Sequence, residues 1–225
     1  MSIHRQTARK VPYICTIEKV PPKEPPKLRV CMAGPAGAGK TSLVYRWRGF
    51  SFADDMRSTC GANFTVFDQE TPEGRPFFEH IWDTAGQEAF ASLLPFYLRG
   101  ADVVVLVFDI CEFEPELVRA WIDKMAVCND GTRLAIVCNK ADLVETTWAA
   151  EESLRVAQRL VALDPKFVLI GTFVTSCLSG SCCQEVHEAV VSYLGSVVRS
   201  KQEVVLTRIG NAADTCTQTE PKGCC

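Results

Sequence analysis

The segment Gly34-Pro35-Ala36-Gly37-Ala38-Gly39-Lys40-Thr41 fits the pattern G-x-x-x-x-G-K-[ST] at every fixed position. Glycines leave successive backbone N–H groups free to point into one concavity, where they take up phosphate oxygens. A helix starting at Lys40 adds the positive end of its dipole. In this pattern the lysine reaches β- and γ-phosphates and the hydroxyl of Thr41 ligates Mg²⁺. Gly34, Ala36, Gly37, Ala38, Gly39, Lys40, Thr41 and Ser42 are therefore the candidate phosphate-contacting residues.

Kinases, motor ATPases and GTPases share such a loop, so other residues must choose among them. Asn139-Lys140-Ala141-Asp142 ends an apolar run, the position where ligands sit in open α/β sheets. A carboxylate at Asp142 accepts from both the ring N–H and the amino group of guanine. Adenine lacks that pair and would leave the carboxylate desolvated, at a cost of about 1–3 kcal/mol. Asn139 is expected to brace the loop and the Lys140 stem to pack over the base. Trp82-Asp83-Thr84-Ala85-Gly86-Gln87-Glu88 ends another run. There Asp83 is suited to the metal shell, Gly86 to a γ-phosphate contact through its N–H, and Gln87 to orienting a water for attack. Thr59 is placed to offer its hydroxyl to the metal when the γ-phosphate is present. Gln87 and Lys40 are the candidate catalytic residues, and Thr41, Thr59 and Asp83 the candidate metal ligands.

These residues need a scaffold of strands that end at one edge. Leu28 to Ala33 is apolar and stops at Gly34, and a helix is expected over Lys40 to Arg48. Ala62 to Gln69 alternates, with Phe64, Val66 and Asp68 on one face, and Pro76 to Trp82 is its hairpin partner across Glu73-Gly74. Asp102 to Phe108, Arg133 to Cys138 and Phe167 to Thr175 read as buried strands. Helical spacing marks Pro115 to Val127, Trp148 to Val161 and Gln184 to Arg199. The expectation is an α/β domain, one sheet with helices on both faces.

The chain has 225 residues, 47% of them hydrophobic, enough for one ordinary domain core and incompatible with disorder throughout. Its longest uninterrupted apolar stretch, Val103 to Phe108, falls far short of the roughly 20 residues of a spanning helix. Met1 to Lys10 is polar and basic, without a signal-peptide core. Residues 1–29 carry seven basic and two acidic side chains although the whole chain is at −3. The remainder is thus acidic, and no nucleic-acid partner is expected. Twelve cysteines occur without any C-x-x-C spacing, and Cys31, Cys111 and Cys138 read as small hydrophobes in or beside strands. Residues 1–26 are expected to be a flexible, basic, proline-rich extension, 27–200 the nucleotide-binding domain, and 201–225 a flexible tail without sustained periodicity after Ile209.

Taken together, these motifs resemble the Ras superfamily of small GTPases, and within it the Rab type, across roughly residues 27 to 200. Thr59 to Phe64 resembles T-I-G-x-x-F, Tyr97 to Ala101 resembles Y-Y-R-G-A, and Leu106 to Ile110 resembles L-V-Y-D-I. The resemblance implies a mostly parallel six-stranded sheet with one antiparallel edge strand, GTP or GDP as the bound nucleotide and Mg²⁺ as cofactor. It implies Phe52 as an aromatic edge on guanine, and a loop of Thr175, Ser176, Cys177 and Leu178 that touches guanine through backbone N–H. The ending Gly223-Cys224-Cys225 is similar to the double-cysteine signal for two geranylgeranyl groups, which places Cys224 and Cys225 as lipidation sites on the cytosolic face of an intracellular membrane. Effectors, an exchange factor, a GTPase-activating protein and a prenyl-binding chaperone are the implied partners. The chain departs from the pattern at Ala36, Met56, Ala89, Cys177 and Leu178. These departures keep two functions open: a slow GTP hydrolase switching vesicle traffic, and a hydrolysis-deficient GTP-bound scaffold on membranes.

Overall fold

Strands of continuous Val, Leu and Ile cannot present a face to water, so they must be covered on both sides. In the computed structural model, which describes residues 24–53, 58–86, 92–144, 147–162 and 164–215, every residue of Val103–Asp109 is buried. The strands are β1 (Lys27–Ala33), β2 (Ala62–Glu70), β3 (Pro76–Thr84), β4 (Val103–Asp109), β5 (Thr132–Asn139) and β6 (Phe167–Val174). They form one six-stranded sheet in the order β2-β3-β1-β4-β5-β6. The β2–β3 pair is antiparallel and the other four pairs are parallel.

Alternate residues of the central strands feed two apolar layers. On one face Val30, Met32, Val103, Val105, Val107, Ala135 and Val137 pack against helix α1 (Lys40–Trp47) and helix α5 (Cys183–Thr215). On the other, Cys31, Ala33, Val104, Leu106, Phe108, Leu134 and Ile136 meet α2 (Leu94–Leu98), α3 (Pro115–Lys124) and α4 (Thr147–Ala162). The expected α/β fold, with its antiparallel edge strand, is the one observed. The hairpin turn is closed by Gly74 N–H on Thr71 O at 2.8 Å and Thr71 N–H on Arg75 O at 2.9 Å.

Several local expectations are corrected. The helix expected over 115–127 breaks into α3 and a 3-10 turn at Met125–Val127. Cys111 is exposed, on the 3-10 turn that follows β4, and so does not act as a small core hydrophobe. Burial does push the thiols of Cys31 and Cys138 up, that of Cys138 to about 12. Phe64, Val66 and Asp68 do share a face, and it is the outward one, with Phe67 turned toward the core. Helix α5 continues past residue 200 to Thr215, because residues 201–215 hold no proline and a single glycine, Gly210. Gln87, Met56, Ala89, Cys224, Cys225 and residues 1–23 lie outside the described residues. No described helix is long and apolar enough to cross a membrane.

Candidate functional site

The loop between β1 and α1 runs over the carboxyl end of the parallel strands. Gly39 caps α1 at φ +96°, a left-handed backbone, and a Cβ there would sit 2.1 Å from Asn139 Nδ2. Only glycine meets both demands. The first turn of α1 contains no acidic residue, so its N-terminus keeps its positive character toward the loop. Lys40 is 5% exposed, and its ammonium donates to the carbonyls of Gly34 at 2.9 Å and Pro35 at 2.6 Å. Burial pushes its pKa down to about 8, opposed by Asp83. An anion in this loop would push the pKa back up, since opposite charge favours the charged form.

Three residues far apart in the chain converge beside Lys40. The Thr41 hydroxyl donates to Asp83 Oδ2 at 2.7 Å and lies 2.8 Å from the Thr59 hydroxyl. Burial raises the Asp83 pKa, against the opposing influence of Thr41, Lys40 and Asn63. Asp83 Oδ1 is buried with no hydrogen-bond partner among the described residues. Two hydroxyls and a carboxylate with an orphaned oxygen make a donor set of hard oxygens, which fits Mg²⁺. Gly86 closes this end: a Cβ on it would lie 2.4 Å from Ala36 N and 2.5 Å from Lys40 Nζ.

The opposite end is built around Asn139, which is 2% exposed. Its Nδ2 donates to Ala38 O at 3.0 Å, and its Oδ1 accepts from Thr175 Oγ1 and from Cys177 N–H, each at 3.1 Å. One side chain thus ties the phosphate loop to the 175–178 loop. Asp142 accepts from the Ser176 hydroxyl at Oδ1. Lys140 adopts φ +66°, and its ammonium bonds Asp109 Oδ2 at 2.6 Å, so its charge is held rather than free. Ser176 N–H goes to Ser181 O and Cys177 N–H to Asn139, so both are used within the protein.

A cleft of about 470 Å³ joins the two ends. Its walls include Ala36, Gly37, Gly39, Lys40, Thr41, Ser42, Phe52, Thr59, Gly86, Asn139, Lys140, Asp142, Cys177 and Leu178, all named from sequence. Gly34, Ala38, Asp83 and Ser176 stand behind the walls and act through the bonds just given. Sequence reasoning missed Ala53, Ser58, Thr84 and Leu143, which line the cleft beside residues it did name. It also missed Asp109, although the L-V-x-D-I pattern contains it. Arg46 had no local signal at all: from α1 it donates to Cys177 O at 2.8 Å and Leu178 O at 2.7 Å, across 131 and 132 positions.

The family model for the Ras of Complex (Roc) domain of DAPkinase matches residues 29–142, from β1 through Asp142. The chain is 36% identical over 135 residues to "Ras-related protein Rab-18" of Caenorhabditis briggsae, which covers 59% of this chain and 66% of that protein. It is 36% identical over 132 residues to "Ras-related protein Rab-22A" of Canis lupus familiaris, covering 57% and 67%. It is 39% identical over 134 residues to "Ras-related protein Rab5A" of Oryza sativa subsp. japonica, covering 58% and 65%. The alignments thus span about two thirds of these relatives' own lengths. A phosphate loop on a six-stranded sheet, a metal-type oxygen cluster and a base loop together define a P-loop nucleotide-binding protein. The chain belongs to the Ras superfamily of small GTPases, as a Rab-type member.

Proposed function

We propose that the protein is a Rab-like switch of membrane traffic that cycles between GTP and GDP and hydrolyses GTP to GDP and phosphate. The observation that carries this reading is the cleft running from Lys40 and Gly86 at one end to Asp142 and Leu178 at the other. The 34–41 loop holds the phosphates and Lys40 offsets charge on the transferring group. Asp142, oriented by Ser176, reads the guanine edge, with Phe52 at the base. Gln87 positions the water that attacks the γ-phosphorus as the bond to GDP breaks. Thr41, Thr59 and Asp83 are the residues that would hold Mg²⁺, which when bound neutralises charge between the β- and γ-phosphates. Loss of the γ-phosphate releases the segments around Thr59 and Gly86, which is how the state of the nucleotide reaches the surface.

Beside that surface Phe64, Trp82 and Tyr97 form a row, with centroids 4.7 Å and 5.4 Å apart, next to Phe96 at 71% exposure. An exposed aromatic patch suits docking of effectors, exchange factors and activating proteins. Cys224 and Cys225 are proposed to carry two lipids, because one chain gives only marginal membrane binding and two give stable anchoring. Three basic residues balance three acidic ones after position 200, so lipid rather than charge would hold the chain on the cytosolic face of its membrane. A prenyl-binding chaperone follows from that modification.

The test is to identify the nucleotide that co-purifies with the chain and to follow phosphate release from GTP and from ATP with Mg²⁺ over hours. Release from GTP alone, slowed by Gln87→Leu, is the expected result; preference for ATP would overturn the reading. The Ala36 methyl in the phosphate end of the cleft favours a second reading, a GTP-loaded scaffold without turnover. Bound GTP with no phosphate release would select it. The mass of the C-terminal peptide from native cells tests the lipid.

A further inference from the structure

We propose that the cleft between the β2–β3 hairpin and α5 docks the chain's own basic N-terminal segment, residues 1–23, through lysine ammonium groups. This cleft, of about 480 Å³, shares no wall with the nucleotide cleft. Gln69 and Glu70 line it from β2, and His187, Glu188 and Arg199 from α5. Behind the wall the Glu79 side chain is fully buried. Its Oε2 accepts from Gln69 Nε2 at 3.0 Å and lies 2.9 Å from His187 Nε2. Its Oε1 has no partner among the described residues. A buried carboxylate oxygen without a donor is costly, and both residues that hold this carboxylate are walls of the cleft.

The walls carry more negative charge than they neutralise. Arg199 is taken by Glu73 at 3.2 Å. Glu70 and Glu188 are exposed, and neither is in an ion pair among the described residues. A cation fits such walls. Among the described residues no three His, Cys, Asp or Glu side chains gather as a metal site requires, so the fitting cation is a basic side chain. Residues 1–23 bring Arg5, Arg9, Lys10, Lys19 and Lys23 against a single acid, Glu18, while the rest of the chain is acidic.

The segment also joins the domain beside this cleft. Phe78 N–H bonds Pro26 O at 2.9 Å, so the parallel alignment of Lys27 with Phe78 continues upstream of β1. Pro25 is then level with Pro76, whose partner on β2 is Glu70. Two strand spacings separate β1 from β2, which puts Glu70 about 10 Å across the sheet from Pro25. Lys23 and Lys19 precede Pro25 closely, and extended chain covers about 3.3–3.6 Å per residue. Both lysines therefore have the reach. So short a tether holds them at roughly millimolar effective concentration, and individually weak surface ion pairs then suffice.

The experiment treats the dilute full-length chain with a carbodiimide, which joins a carboxylate to an ammonium only where the two touch, and maps the linked peptides by mass spectrometry. The expected result is a link from Lys19 or Lys23 to Glu70 or Glu188 within one chain. No such link, links only between two chains, or links from these lysines only to acids elsewhere would overturn the proposal. Hydrogen exchange supplies a second reading. In the Lys19→Glu, Lys23→Glu variant, exchange of residues 69–74 and 188–195 should become about fivefold faster, the equivalent of losing two surface ion pairs. Adding Glu70→Lys and Glu188→Lys to that variant should restore both slow exchange and the link, with the charges swapped. Unchanged exchange after the first reversal, or fast exchange in a swapped chain that melts as the parent does, also overturns it.

Discussion

Asn139 is the residue on which both ends of the cleft depend. Its carboxamide satisfies the Ala38 carbonyl, the Thr175 hydroxyl and the Cys177 N–H, all in a buried setting. Leaving a buried polar group unpaired costs about 1–3 kcal/mol. Asn139→Ala is therefore expected to destabilise the nucleotide-free chain by about 3 kcal/mol or more, read from urea unfolding. Two of the loop's three glycines, Gly37 and Gly39, should separate in the same assay. Gly37 sits at φ +74° with nothing among the described residues within 4 Å of where a methyl would lie, so Gly37→Ala carries backbone strain, about 1–2 kcal/mol. Gly39→Ala carries that strain and a methyl 2.1 Å from Asn139 Nδ2, and should cost clearly more.

Among the elements, α1 does more than present Lys40 and Thr41. Arg46 at its far end grips the carbonyls of Cys177 and Leu178, so one short helix spans the phosphate and base loops. Arg46→Ala should weaken GDP binding about tenfold, the equivalent of ~1.4 kcal/mol, measured by fluorescent-nucleotide titration. Helix α5 is locked to β3 by a different contact. His187 Nε2 lies 2.9 Å from Glu79 Oε2, a carboxylate that is fully buried and also accepts from Gln69 at 3.0 Å. The imidazole stacks on Trp47 at 4.7 Å and 7° between planes, which joins α1 to the same contact. Removing one partner of a buried hydrogen bond and leaving the other unsatisfied costs about 1–3 kcal/mol. His187→Leu is expected to lower the denaturant midpoint accordingly, the more so because Glu79 Oε1 has no partner among the described residues.

For the whole molecule, ligand and fold are linked. A nucleotide that binds only the folded chain stabilises it by about 4.1 kcal/mol at a thousandfold excess over Kd. For a domain of this size each kcal/mol moves the melting midpoint by about 2–4 °C. GDP with Mg²⁺ should therefore raise the midpoint by roughly 8–16 °C, ATP should not, and chelating the metal should remove part of the gain. A thermal melt followed by circular dichroism with each nucleotide checks this. An equal shift with ATP would mean that Asp142 does not discriminate.

Much of the site is legible in the order of residues alone. The 34–41 loop follows β1, Asp83 is the last residue but one of β3, and the 139–142 segment starts on the last residue of β5; a strand's carboxyl end is a place that local pattern identifies. Alternation in β2 announces Phe64 and Val66 as sharing a face, but not that this face looks outward. Composition suggests a tail after residue 200, where the backbone remains helical because no proline interrupts it. Arg46 on Cys177, Asn139 on Ala38 and His187 on Glu79 join residues 131, 101 and 108 positions apart. Such pairs leave no trace in spacing, because their meeting depends on how the layers of helix and sheet stack. Chemistry carried by neighbours along the chain is written in the sequence. Chemistry carried by neighbours across the core arises only when burial of apolar faces sets the helices down on the sheet.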